Sequence, residues 1–307
     1  SARKIPSFNF VVMDSSKNIG FFYNGRIPTR ETPKAAREVL QGISSNDIWP
    51  LNQPIKNLPT FINPPNGWIQ STNQNPYAVM GKYSMALDPK NPNVYFEQRL
   101  TNRSFVANEL LSKPVKITLD DFIDIKFDHS YSENSRQFKY LMKLAENNPE
   151  IAEKVRPWDR QTNFKNKHAG YNSCLMAHEW LSEMNAQPIP KTEDVLSKCQ
   201  NWFTEINREQ TDEWEKITTI TRLGRSYPIQ GSVDTLRAVY GTPNAETNSI
   251  DMSGGDGLFY IIEESLDGRM IYGMHNFGSS RNTESVHYSD QTFLFSKEAL
   301  RFIPDNL

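Results

Sequence analysis

The residues with the clearest chemical potential are the asparagines of one short segment. Residues 63–76 read NPPNGWIQSTNQNP, so that a Pro-Pro turn leads into a short apolar strand and then an Asn-rich turn. An asparagine at the end of a strand can direct its amide N–H at a developing oxyanion, which an aspartate would repel. Asn73 and Asn75 are therefore candidate oxyanion donors, although the same side chains could instead only cap turns.

Other signatures of catalysis or metal binding are missing from the sequence. It contains no nucleophile elbow, zinc-protease helix, phosphate-binding loop or dinucleotide fingerprint. Cys174 and Cys199 are either two separate core residues or one disulfide of an oxidising compartment. No two histidines stand at zinc-ligand spacing, and each is interpreted as a surface or supporting residue: His129, His168, His178, His275 and His287.

Length and composition narrow the class of protein. The chain has 307 residues, of which 37% are hydrophobic and 23% are charged, and its formal net charge is −2. This length suits one large domain or two ordinary ones. No apolar run is long enough to span a bilayer, and the basic residues are scattered among acidic ones. We therefore expect neither a membrane segment nor nucleic-acid binding.

The elements that must position the Asn-rich turn come in a recognisable order. Two β-prone runs, 8–13 and 19–23, flank a polar turn and predict a hairpin, and runs at 257–262 and 269–274 predict a second one. Six prolines between residues 46 and 76 argue against long regular elements there. Helical patterns occupy 33–40, 94–147 (with a capped start at 118 and a helix at 135–147), 169–185 and 192–208. The predicted class is α+β, with helices on a mostly antiparallel sheet.

Several segments together resemble the penicillin acylase family of N-terminal nucleophile hydrolases. Residues 9–28 are similar to a hairpin of that family, with Lys17 where glycine is usual. Residues 63–76 are similar to its oxyanion segment, and residues 285–291, SVHYSDQ, are similar to its terminal motif, with Val286 in place of proline. The resemblance runs in order along almost the whole chain. It implies part of an αββα sandwich from the C-terminal portion of a catalytic β chain, divided into 1–92 (hairpin and oxyanion loop), 93–210 (mainly helical) and 211–307 (strands).

The resemblance also implies roles for individual residues. Matched position by position, the oxyanion asparagine is Asn73. A supporting arginine is expected seven residues before a Leu-Leu pair, which identifies Arg103, and Arg99 is the competing candidate one helical turn away. Family enzymes use an N-terminal Ser, Cys or Thr as nucleophile and its own α-amine as base. Ser1 is not expected to fill this role, because the hairpin that starts at Phe8 is a mid-chain element of the family.

The remaining expectations concern partners, substrate and location. The nucleophile should lie on preceding sequence, so the implied partner is the rest of the acylase: an α subunit and the N-terminal part of the β chain, made from a precursor. The implied substrate is a small N-acyl compound, and residues 158–159 and 290–295 favour the acyl-homoserine-lactone and lipopeptide branch over β-lactams. No cofactor is expected apart from a structural Ca²⁺ that Asp88 could ligate. The resemblance implies the periplasm, and a non-catalytic binding module or an inert fragment remains the alternative.

Overall fold

The computed structural model describes residues 8–25, 39, 41–48, 58–83, 99–113, 115–265 and 268–304. The chain forms two compact units, residues 1–114 and 115–307. The boundary lies inside the segment predicted to be mainly helical, so the first described helix after the Asn-rich turn belongs to the first unit. The predicted helix at 33–40 lies almost entirely outside the described residues, as do Ser1 and Asp88. No helix in the described ranges is both long and apolar enough to cross a membrane.

The first unit is built on a small antiparallel sheet. Strands β1 (Phe8–Met13), β2 (Ile19–Asn24) and β3 (Thr60–Ile62) lie in the order β1-β2-β3. This confirms the first predicted hairpin. A polar turn closes it, in which Lys17 has a φ of 65°, a conformation that glycine adopts without steric cost. The family's usual glycine at this position therefore has a conformational reason.

Among the described residues of the first unit, one α-helix follows the Asn-rich turn. Helix α1 (Asn102–Leu111) begins after Thr101, whose side chain accepts a hydrogen bond from the backbone N–H of Ser104. The helical pattern was predicted to run from residue 94. Residues 99–101, which the structure describes, are not helical, so the prediction is wrong for these three residues. The strand predicted just before the Asn-rich turn is also wrong. Residues 68–70 form no strand, and the backbone N–H of Gln70 instead bonds to the carbonyl of Val79 at 3.0 Å.

The second unit contains most of the helices and two sheets. Its first helix, α2, starts at the predicted cap, where Thr118 and Asp121 exchange both hydrogen bonds of a capping box. The helix predicted at 135–147 is followed at once by a further helix that the sequence pattern did not reveal. The helices are α2 (Leu119–Lys126), α3 (Arg136–Asn147), α4 (Pro149–Val155), α5 (Ala169–Met184), α6 (Thr192–Glu205), α7 (Trp214–Ile217) and α8 (Thr292–Ser296).

The two sheets of this unit are mainly antiparallel, as predicted. One has the order β5-β4-β7-β6, with a single parallel pairing between β4 and β7, and the other has the order β10-β9-β8. Strands β8 and β9 form the second predicted hairpin. The strands are β4 (Thr218–Arg222), β5 (Arg225–Pro228), β6 (Val239–Asn244), β7 (Ser249–Gly255), β8 (Leu258–Ser265), β9 (Gly268–His275) and β10 (Arg301–Ile303).

A disulfide between Cys174 on α5 and Cys199 on α6 settles the alternatives for the two cysteines. Both residues lie in the large apolar core of the second unit, which also contains Leu175 and Phe203. The bridge joins two helices that already pack together. The potential ligand atoms of Cys174, His178 and Cys199 lie close together, as in a metal site. Because the two sulfur atoms are bonded to each other, they are not thiolates that could bind a metal.

Candidate active site

The Asn-rich turn exposes Asn73 at its tip. Asn73 is solvent-exposed and has a φ of 64°, a left-handed conformation that asparagine tolerates better than most residues. The residues on either side are held by side-chain hydrogen bonds. Gln74 accepts from the backbone N–H of Thr72 at 2.5 Å through Oε1, and its Nε2 donates to the carbonyl of Gln70 at 3.2 Å. A buried glutamine thus closes the turn beneath the exposed asparagine.

The same turn is fastened to the start of α1. The hydroxyl of Thr101, the N-cap of that helix, donates to the carbonyl of Thr72 at 3.1 Å. Gln70 Nε2 donates to Ser104 Oγ at 3.4 Å and to Asn108 Oδ1 at 3.3 Å. Because these bonds join the residues just before Asn73 to a regular helix, they restrain the backbone that leads into the tip of the turn.

Arg103, in the first turn of α1, contacts Asn73 directly. Its Nη2 donates to Asn73 Oδ1 at 3.2 Å. A guanidinium can only donate hydrogen bonds, so this contact fixes which end of the amide faces the arginine. The amide NH₂ of Asn73 then points away from Arg103, and in the described part of the chain its Nδ2 makes no hydrogen bond with another residue. The arrangement presents one oriented N–H donor at an exposed surface, and an oriented N–H donor is one component of an oxyanion hole.

The structure separates the two candidate arginines. Arg99 precedes α1 instead of lying one helical turn before Arg103, and its carbonyl accepts a hydrogen bond from the backbone N–H of Asn75 at 3.2 Å. Asn75 Oδ1 accepts from the backbone N–H of Tyr77 at 2.9 Å, which is the turn-capping role that the sequence left as the alternative. The side chain of Asn73, in contrast, accepts its hydrogen bond from an arginine.

A further contact joins the turn to the opening hairpin. Asn9 Nδ2 on β1 donates to Ser71 Oγ at 3.2 Å, so two segments that the sequence singled out separately meet within the first unit. The supporting residues Gln70, Thr72, Gln74 and Thr101 were missed by the sequence analysis. The sequence shows only that amide and hydroxyl side chains are frequent around the Asn-rich turn. This composition does not indicate which groups form hydrogen bonds with each other.

The terminal motif, residues 285–291, contacts the turn that precedes it in the second unit. The backbone N–H of Ser280 bonds to the carbonyl of His287, and the ring Nδ1 of His287 lies 2.9 Å from Asp290 Oδ2. Gly278 cannot be replaced without strain, because a Cβ there would lie 2.1 Å from the carbonyl oxygen of His287. These contacts give the terminal motif a structural role in holding its own loop.

Comparisons with known proteins place these features in a family. The sequence model of the penicillin amidase family matches residues 1–304. Among solved structures, the chain is similar to the thermostable penicillin G acylase from Alcaligenes faecalis, with a TM-score of 0.52 and 14% identity. The likeness covers 99% of this chain and 65% of that one, so this chain spans about two thirds of its length. At this identity the likeness shows the fold, which is that of an N-terminal nucleophile hydrolase, and the family match shows that the chain belongs to the penicillin amidase family.

Proposed function

We propose that this chain is part of an amide hydrolase that deacylates small N-acyl compounds. The single observation that carries the proposal is the contact between Arg103 Nη2 and Asn73 Oδ1, which orients an exposed amide N–H within a penicillin amidase fold. In this reading Asn73 donates from Nδ2 to the oxyanion that forms when the amide carbonyl is attacked. Arg103 is a positioning residue that keeps the amide in this orientation.

The nucleophile is proposed to come from sequence outside this chain. Strand β1 supports this proposal, because its apolar side chains are exposed on both faces while it lies at the edge of its sheet. Phe8 is 63% exposed, and Val11, on the opposite face, is 53% exposed. Within the described residues β1 pairs with β2 alone. A strand that is apolar on both faces is typical of the interior of a layered fold, and an uncovered one is an association surface.

The partner that fits this surface is the remainder of the acylase. A strand of the nucleophile-bearing segment would pair with the edge of β1 that is unpaired within the described residues and would cover its apolar faces. The proposed assembly therefore consists of an α subunit, the N-terminal part of the β chain and this chain, and is formed by cleavage of a precursor exported to the periplasm. The proposed substrates are N-acyl-homoserine lactones or lipopeptides, with penicillins as the second choice.

An acylase assay tests the proposal. The complete polypeptide that carries this chain should release the acyl group from N-decanoyl-homoserine lactone or from penicillin G, while residues 1–307 alone should cut neither. Hydrolysis by residues 1–307 alone would make Ser1 the nucleophile and contradict the proposed partner. Complete absence of amide cleavage by the full protein, over a range of acyl chain lengths, would favour a binding module instead.

A further inference from the structure

A groove of the second unit is lined by lysines and apolar side chains. It has a volume of about 490 Å³ and lies between helix α3, Glu179 on α5 and the segment 189–192, which leads into α6. Pockets that bind small molecules typically measure about 300–1,000 Å³. The groove therefore has room for a small molecule, and none of its lining residues belongs to the Asn73 turn.

Helix α3 contributes a row of cations to the groove. Arg136, Lys139 and Lys143 follow one another at spacings of three and four residues, so they are neighbours on one face of the helix. Like charges at these spacings are destabilising. Cations are also unfavourable near a helix N-terminus, and the first turn of α3 has no acidic residue. A row of charges that lowers helix stability is typical of a binding site, where local rules are broken for function.

The lysines of the groove are not neutralised by the chain. Lys139, Lys143 and Lys191 are exposed, and their side chains form neither an ion pair nor a hydrogen bond with the part of the chain that the structure describes. Elsewhere in the second unit, Lys154 and Lys216 each lie beside a carboxylate four residues earlier, at 3.0 Å and 3.9 Å. The ammonium groups of the groove can therefore be reached by an anion from solution.

The acidic side chain among the lining residues is already paired. Glu179 is 2% exposed in its side chain, and Arg136 donates to its two carboxylate oxygens at 2.5 Å and 3.2 Å. Arg136 also lies 3.5 Å from Glu183, which is outside the lining. Glu193 and Asp194, next to the groove in sequence, are exposed and do not line it. The lysines therefore set the charge of the groove, which is positive.

The rest of the wall is largely apolar. Its apolar members are Tyr140, Leu144, Ile189 and Pro190. Ile189 is 62% exposed, so a ligand can contact this side chain and cover it. A bare inorganic anion would leave this part of the groove uncovered. An anion with an apolar body fits both parts of the wall.

We propose that this groove binds a free amphiphilic phosphate monoester, a small molecule with a phosphate head and an apolar body. The lysine cations favour a doubly charged head over a singly charged one, because Coulomb attraction grows with the product of the charges. A phosphate monoester carries about −1.5 to −2 charges at neutral pH, and lysine binds phosphate as a point charge. The head lies at the lysines and the body lies along Ile189 and Pro190. The proposal does not depend on amide hydrolysis, because no residue of the Asn73 turn takes part.

Titration calorimetry on the complete polypeptide that carries this chain tests the class of ligand. Octyl phosphate should bind saturably, and octanoate, with one charge, should bind roughly two- to fivefold more weakly. Inorganic phosphate and 1-octanol, which each lack one half of the ligand, should bind more weakly than octanoate. An affinity for 1-octanol equal to that for octyl phosphate would overturn the role of the cations. Absence of saturable binding at millimolar octyl phosphate would overturn the site.

A vesicle experiment separates a free ligand from a lipid headgroup that carries the same phosphate monoester. The protein should not sediment with phosphatidylcholine vesicles that contain phosphatidic acid, because the proposed ligand is a single molecule inside the groove. Sedimentation with these vesicles that Lys139→Gln and Lys143→Gln abolish would overturn the assignment to a free ligand.

Lysine variants locate the phosphate. Lys139→Gln and Lys143→Gln should each weaken octyl phosphate roughly two- to fivefold and leave 1-octanol unchanged. Neither should lower the urea midpoint, because each removes a like-charge repulsion on α3. Lys165→Gln, at an exposed lysine outside the groove, is the control and should change neither affinity. A loss in the control equal to that in the groove variants would show nonspecific attraction and overturn the site.

A second pair of variants tests the apolar part. Ile189→Ser should weaken octyl phosphate roughly two- to fivefold and leave inorganic phosphate unchanged, because less apolar surface is covered on binding. Leu223→Ser changes an apolar side chain of similar exposure, 58%, outside the groove and should have no effect. Unchanged affinity for octyl phosphate in Ile189→Ser would overturn the placement of the apolar body.

Discussion

The two units of the molecule are stabilised by different means. In the described part of the first unit the buried apolar cluster is small, consisting of Phe21, Val79 and Met80, and the Asn-rich turn is held by amide and hydroxyl hydrogen bonds. The second unit has an extensive apolar core and a buried arginine, Arg237. From this difference we expect substitutions at the turn to lower turnover and to leave stability nearly unchanged. Substitutions in the core of the second unit should lower stability.

The largest expected effect on stability belongs to Arg237. Its side chain is 0% exposed and pairs with Asp256 at 3.2 Å and with Glu298 at 3.2 Å, while Nη2 donates to the carbonyl of Phe295 at 2.7 Å. Arg237→Ala leaves Glu298 without its ion-pair partner in a poorly solvated place and leaves Asp256 with Lys126, at 2.7 Å, as its remaining cation. We expect a loss of about 3–5 kcal/mol in the free energy of unfolding, measured by urea denaturation.

The matched control for Arg237 is an exposed ion pair in the same unit. Lys165 contacts Glu215 at 2.5 Å, but its side chain is 70% exposed. Lys165→Ala should leave the urea midpoint nearly unchanged, because solvent-exposed pairs contribute little. A small effect of Arg237→Ala, comparable to that of the control, would remove the buried network from the account of stability.

The next effect is a dependence of stability on pH. Burial, and then the nearby charge of Lys198, lowers the pKa of His178 from 6.5 to about 4. Between these values the unfolded chain binds more protons than the native one, so the stability contributed by neutral His178 is lost as the pH falls from 6.5 towards 4. The loss should be on the order of 1–2 kcal/mol after allowing for solvent screening.

Urea denaturation at a series of pH values measures this effect. His178→Gln should flatten the dependence of the unfolding free energy between pH 6.5 and 4. The exposed His287→Gln is the control, and it should leave the slope in place. An unchanged slope in His178→Gln would show that another group is responsible.

The smallest effect should come from the arginine of the first unit and should appear in turnover. Arg103→Met removes the donor to Asn73 Oδ1 while keeping much of the side-chain volume. We expect kcat to fall about tenfold in the complete enzyme with KM little changed, because a lost hydrogen bond of a charged group is worth about 1.5–3 kcal/mol and only part of it acts on orientation. In an Asn73→Gly background the same change should have little further effect, since the group it positions is gone.

Local rules were enough to predict several elements. The two hairpins follow from alternating apolar runs around polar turns, and the start of α2 follows from Thr118 and Asp121. The candidate pair Asn73 and Arg103 was implied by the family resemblance instead, and the structure places Arg103 Nη2 3.2 Å from Asn73 Oδ1. Their catalytic role stays a prediction.

Features that depend on distant partners could not be predicted. The segment before Asn73 forms no strand, because the backbone of Gln70 bonds to Val79 in place of a neighbouring strand. Arg237 is an ordinary arginine in the sequence, and its burial follows from carboxylates contributed by Asp256 and Glu298. The disulfide was left open, since spacing alone cannot show that α5 and α6 pack together.

The central claim, that Asn73 stabilises the oxyanion, is tested most directly by the turnover of Asn73→Gly in the complete enzyme. Glycine adopts the φ of 64° without strain, so this variant removes the amide and spares the turn, whereas Asn73→Ala would add steric cost. We predict that kcat falls by roughly 10²–10³ while the urea midpoint stays the same. Unchanged turnover in a folded Asn73→Gly protein would contradict the account.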